Sequence, residues 1–259
     1  MTTSAYPIRT LAATAALALT AGALAALATT GPAFAGPTAD PMTGAPTVGS
    51  CSTMTETQAG ARADHSTIVD CSRPHTAQVA GVVTLPGHLQ WDQAGNRALY
   101  QVVASRCLPK LQAVLGRNTR TRDSSAYDLL WFAPTKGQIA RGARWLSCSV
   151  ELRHATSLGR LPTSTAPFLP GGSLPDRVAR CLTKSALTTS CSQPHRWRAS
   201  GAFTVAGAYP GQHKLNSKAD RKCRSRVTAD KPYRWTYQDK VTWNAGGDHV
   251  VVCYSPSRS

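Results

Sequence analysis

The stretch Cys71-Ser72-Arg73-Pro74-His75 returns as Cys191-Ser192-Gln193-Pro194-His195, and each copy stands inside its own set of four cysteines. The neighbours keep register. Gly81 and Thr84 follow the first copy at the distances at which Gly201 and Thr204 follow the second, and Gly142 stands as far before Cys148 as Gly247 does before Cys253. A chance pentapeptide brings no such companions, so the chain reads as two copies of one module. The expected fold class is α+β: two tandem small disulfide-stapled modules, residues 48–155 and 176–259, each made of short strands plus one amphipathic helix.

Outside the repeats the sequence changes character. Arg9 precedes an Ala/Leu run from Leu11 to Leu27, followed by Gly31-Pro32 and Ala33-Phe34-Ala35. This is the order of a signal peptide over residues 1–35, with cleavage after Ala35; retention as an anchor is the alternative. Residues 36–47 and 156–175 are rich in Pro and Gly and read as flexible linkers.

Export decides how the cysteines are read. Eight thiols with no Cys-x-x-Cys pair, in an oxidising compartment, form a disulfide framework before they form a metal or redox site. If each module closes its own two bonds in the same way, Cys51 pairs with Cys71, Cys107 with Cys148, Cys181 with Cys191 and Cys223 with Cys253. Each bond is worth about 2–4 kcal/mol, which matters for modules with modest cores.

Apolar spacing places the third cysteine of each set on a helix. Leu99, Val103 and Cys107 recur every four residues, as do Leu215, Ala219, Cys223 and Val227, and Pro109 is expected to break or restart the first helix just after its cysteine. Strands are expected over Thr67 to Cys71, Gln78 to Leu85, Trp145 to Val150, Ala199 to Val205 and His249 to Tyr254.

These features together resemble the septum formation domain of actinobacterial exported and membrane proteins. The match is carried by Gly49-Ser50-Cys51, Cys71-Ser72-Arg73-Pro74-His75, Gly81-Val82-Val83-Thr84-Leu85-Pro86-Gly87, Pro134-Thr135 and Gly142-Ala143-Arg144 in the first module. In the second it rests on Cys191-Ser192-Gln193-Pro194-His195, Tyr209-Pro210-Gly211, Trp243 and Gly247-Asp248-His249. The family's Glu after Pro-His is Gln78 in one module and Arg198 in the other, and its final Arg is His249 in the second. The resemblance implies a place in the cell envelope and a link to division; it implies no reaction.

Catalysis finds little support among the residues. His75 and His195 are the obvious general bases, yet Ser72 and Ser192 lie beyond a rigid Pro with no carboxylate beside them, so the Pro74-His75 and Pro194-His195 pairs read as turn-holding groups. No His-x-x-x-His or His-x-His pair, phosphate loop or His-Glu-x-x-His appears, and neither a metal nor a cofactor is expected. Binding has more material. The chain carries a formal net charge of +16, with 12 Lys and Arg against 7 Asp and Glu over residues 48–155 and 15 against 5 over residues 176–259. Lys214, Lys218, Arg221, Lys222, Arg224 and Arg226 crowd the second helix, and Trp197 with Arg198 adds to them. Tyr233, Trp235 and Tyr237 share one side of a strand, either stacking on sugars or bases or filling a core. Such a surface suits anionic wall polymer, lipid headgroups or an acidic envelope protein. The alternatives are an envelope hydrolase using the Pro-His turns and an extracellular nucleic-acid binder.

Overall fold

In the computed structural model, residues 39–89, 96–163, 167–169, 171–227 and 232–257 are described. The expected signal peptide and its cleavage point lie outside them. The described chain runs β1 (Cys51–Thr53), α1 (Glu56–Ala59), β2 (Thr67–Val69), β3 (Ala77–Thr84), α2 (Asn96–Leu115), α3 (Thr119–Asp123), β4 (Tyr127–Phe132), α4 (Lys136–Ala140), β5 (Trp145–His154) and β6 (Ser157–Gly159). It continues through β7 (Arg180–Leu182), β8 (Thr188–Ser190), β9 (Trp197–Thr204), α5 (Gln212–Arg224), β10 (Arg234–Tyr237), α6 (Lys240–Asn244) and β11 (Val250–Pro256).

All eleven of these strands join one antiparallel sheet in the order β10-β11-β9-β7-β8-β5-β3-β1-β2, with β4 and β6 also on β5. The fold is therefore mixed and strand-rich. In the first half β1 pairs with β2 and β3, and β5 with β3 and β4. In the second half β7 pairs with β8 and β9, and β11 with β9 and β10. The His154–Thr189 pairing of β5 with β8 carries the sheet from one half into the other.

Packing follows from the helical spacing. Leu99, Val103 and Cys107 of α2 bury against Leu85, Leu146 and Cys148, while Leu215, Ala219 and Cys223 of α5 bury against Phe203, Val251 and Cys253. The disulfides are Cys51–Cys71, Cys107–Cys148, Cys181–Cys191 and Cys223–Cys253, in agreement with the expected order. Opposite the last cysteine of each half stands a glycine, Gly81 facing Cys148 and Gly201 facing Cys253. Its bare backbone makes room for a basic side chain three residues beyond the helix cysteine. A Cβ on Gly81 would lie 2.7 Å from Lys110 Cδ, and one on Gly201 3.1 Å from Arg226 Cδ.

Four expectations need correction. Each half holds more than the one helix expected, α1, α3 and α4 standing beside α2 in the first and α6 beside α5 in the second. α2 does not break at Pro109 but runs on to Leu115. Pro109 and Ser105 are both exposed, so water can satisfy the Ser105 carbonyl that loses its helical donor. The connector over 156–175 is not a free linker: β6 pairs with β5, and Leu161, Phe168 and Leu169 are buried beside Tyr127, Val150 and Leu152. Its prolines set an extended path, but the apolar side chains between them are large enough to bury. From Ala39 onward the first linker, though mostly exposed, is tied down by hydrogen bonds, for its free carbonyls are good acceptors. Arg144 N donates to Pro41 O at 2.7 Å, Trp145 Nε1 to Thr43 O at 3.0 Å and Gln138 Nε2 to Gly44 O at 3.0 Å.

Between the halves lies a buried ion pair. Arg122 Nη2 stands 2.6 Å from Asp248 Oδ1, the two side chains being 5% and 9% exposed. Gln112 Nε2 donates to the same oxygen at 3.1 Å, so α2 and α3 of the first half hold the residue that leads into β11 of the second.

Candidate functional site

The two Pro-His turns share a geometry. His75 Nδ1 lies 2.9 Å from Arg73 O, and His195 Nδ1 lies 2.8 Å from Gln193 O. A ring nitrogen facing a carbonyl must carry the proton, so each imidazole donates two residues back and closes its turn. His75 is 1% exposed and its Nε2 has no hydrogen-bond partner among the described residues. His195 Nε2 meets Ser257 Oγ at 3.3 Å. Ser257 was not singled out by the sequence, since nothing local marks a residue sixty positions away. The motif serines do not reach their histidines: Ser192 Oγ instead pairs with Ser190 Oγ at 2.8 Å. A carbonyl orients each ring where a hydrolase triad would use a carboxylate.

The basic residues gather on α5 and just beyond it. Lys214, Arg221, Lys222, Arg224 and Arg226 are exposed and Lys218 is half-buried, while Leu215, Ala219 and Cys223 face the core. Cations in the last turn also favour the negative end of the helix dipole. Lys222 Nζ and the Arg226 guanidinium lie 4.9 Å and 5.5 Å from the centroid of one ring, Phe203. Arg224 is taken up by Asp220 at 3.1 Å and by Tyr233. Lys214, Lys218 and Arg221 meet no carboxylate among the described residues.

The aromatics are placed differently. Trp197, expected among the contact residues, is 8% exposed and packs on Leu182, Val250, Val252 and Tyr254, with Arg234 4.7 Å from its ring centroid. Arg198 pairs with Asp176 at 2.7 Å. Tyr233, Trp235 and Tyr237 are half-buried against the α5 core. Trp235 Nε1 and Tyr237 OH donate to Asn216 Oδ1 at 3.3 Å and 2.8 Å, so this side of β10 faces α5.

A family model described as septum formation matches residues 48–253. The chain belongs to the septum formation family. No curated protein and no solved structure matches it. In this septum formation chain the last motif of each half ends in a different device. Arg144 donates to Pro86 O at 2.8 Å and to Leu89 O, tying down the turn after β3. Its counterpart His249, at φ 53°, donates from Nε2 to Trp243 O at 2.7 Å and stacks on the Trp243 ring at 4.7 Å.

Two carboxyls of the septum formation fold are strongly perturbed. Burial raises Glu151 to about 7, aided by the charge of Asp128 and opposed by Arg153, whose guanidinium lies 3.1 Å away. Burial likewise raises Asp123 to about 7 against the pull of Arg180. Among the described residues no three His, Cys, Asp or Glu side chains cluster as metal ligands, and no helix is long and apolar enough to cross a membrane. A cavity of about 460 Å³ opens between α3, the turn at Gly172 to Leu174, and β9. Four disulfides and a septum-related domain are consistent with an extracellular or envelope protein.

Proposed function

We propose that this protein is an exported, non-catalytic binding or adaptor protein of the bacterial cell envelope, built from two copies of one module, in which the basic face of α5 contacts anionic wall polymer. The observation that carries the reading is that Lys214, Lys218 and Arg221 project from one helix with no carboxylate to neutralise them among the described residues. Cations so placed attract a polyanion and lose that attraction as salt is added. Duplication is supported by the matching strand pairings, by disulfides in the same order, and by two histidines bonded to the carbonyl two residues back. A hydrolase reading has only the 3.3 Å contact of Ser257 with His195 behind it, and that pair lacks an orienting carboxylate.

The test measures retention of the intact protein on purified anionic wall polymer across a salt series. Retention should fall steeply with salt and drop about tenfold or more when Lys214, Lys218 and Arg221 are all changed to Glu. Retention indifferent to both salt and charge reversal would refute the reading.

A further inference from the structure

Five consecutive residues of β9, Arg198 to Ala202, line the 460 Å³ cavity. Side chains of a strand alternate between its faces, so one cavity touches all five only by lying along the strand's edge. That edge is open. β9 pairs with β11 on one side, and on the other β7 reaches only Trp197 and Arg198. From Ala199 to Thr204 no strand among the described residues covers it. The bulge opposite Cys253–Tyr254 leaves Ser200 as an extra residue here, and bulges commonly mark edges that serve a function.

The opposite wall is equally informative. It is formed by Arg120 and Ser124 from the α3 region and by Ser173 from the turn, with no carboxylate and no aromatic ring lining it among the described residues. Arg120 is exposed and meets no carboxylate among the described residues. Sugars and bases are usually held by an aromatic platform, which this trench lacks. Unused strand-edge N–H and C=O groups are instead the recognition surface for an extended backbone.

We infer that the trench beside β9 takes an extended acidic peptide segment of a partner protein, which adds as a strand to the unpaired edge while its carboxylates meet Arg120, Arg198 being already held by Asp176. The volume falls within the range of built ligand clefts, and Ala199 to Ala202 offer roughly 10 Å of edge for pairing. None of Lys214, Lys218 and Arg221 lines the trench, so the inference goes beyond the polymer-binding reading, although Gly201 of the lining lies against Arg226.

The experiment uses the intact protein and a labelled synthetic peptide of alternating Glu and Val, followed by fluorescence anisotropy. Replacing alternate residues of the peptide with Pro removes strand donors and should weaken binding about tenfold or more. Ser173→Trp, which fills the trench from an exposed turn, and Arg120→Glu, which reverses a wall charge, should each cause a loss of similar size. Hydrogen exchange of the β9 amides should slow when the peptide is bound. Equal binding of the Pro-containing peptide, or indifference to Ser173→Trp, would overturn the proposal in favour of plain charge capture. Displacement of the peptide by an anionic glycan more readily than by unlabelled peptide would overturn it in favour of a sugar ligand. The triple Glu variant of α5 should bind the peptide normally even if it loses the polymer; loss of both would place the peptide on α5 and sink the trench site.

Discussion

His75 shows how one side chain can govern a turn. Its Nδ1 proton goes to the Arg73 carbonyl, and Leu161 N donates to its own carbonyl at 2.9 Å, so the connector closes over it. His75→Ala should lower stability by about 2–4 kcal/mol, the sum of an emptied buried volume and a stranded carbonyl, seen as a lower urea midpoint. Polymer retention of the folded fraction should not change. Glu151 and Asp123 make a second prediction at this scale. Their folded values of about 7 lie above the ordinary 4.5 and 3.8, so between roughly pH 4 and 7 the folded state keeps protons that the unfolded chain has released. Their contribution is therefore fully present below pH 4 and is lost as pH rises through 7. Urea midpoints should be higher at pH 5 than at pH 8, and the Glu151→Gln, Asp123→Asn double variant should flatten the difference.

Among the elements, the two glycines opposite the cysteines separate cleanly. Gly81→Ala would press its Cβ on Lys110 Cδ, Cγ and Cβ, part of that stem close to the helix, and should cost about 1–3 kcal/mol. Gly201→Ala comes tight only on the movable Cδ of Arg226 at 3.1 Å, with its Cβ and Cγ at ordinary contact distances of 3.6 and 3.7 Å, and should cost less; paired denaturation curves would settle the order. Much of this layer was legible in the sequence. The four-residue recurrence through Cys107 and Cys223 placed both helices, and β-branched runs placed the long strands, because side-chain period is a direct record of which face is buried. Pro109 is a local breaker whose effect depends on surroundings that the sequence does not show: its face of α2 meets water. The connectors are a similar case: composition says that a segment need not pack, and says nothing of whether a neighbour such as Arg144 or Tyr127 will use it. The basic stripe of α5 could be read from spacing, whereas the trench beside β9 could not, since it depends on which edge of a strand is left without a partner.

Across the whole molecule, the Arg122–Asp248 pair links the halves together with the strand contact of β5 with β8 and the Ser125–Ala179 bridge. Asp248→Ala leaves a buried guanidinium without its anion and should cost about 3–5 kcal/mol, whereas Asp220→Ala, breaking a pair 70% and 40% exposed, should stay within about 1 kcal/mol. Differential scanning calorimetry of the parent should show one transition, and Asp248→Ala should separate it into two.

The buried side chains of the connector carry one more implication. Leu161, Phe168 and Leu169 belong to the core beside β4 and β5, although they follow the last strand of the first half. Val178, beyond Gly171, buries in the same core, so a protease that nicked the chain near Gly171 would not release two independent domains. The pieces would remain associated under native conditions and part only in denaturant, and a truncated product ending at residue 155 would expose the apolar surface that those three residues normally cover and precipitate.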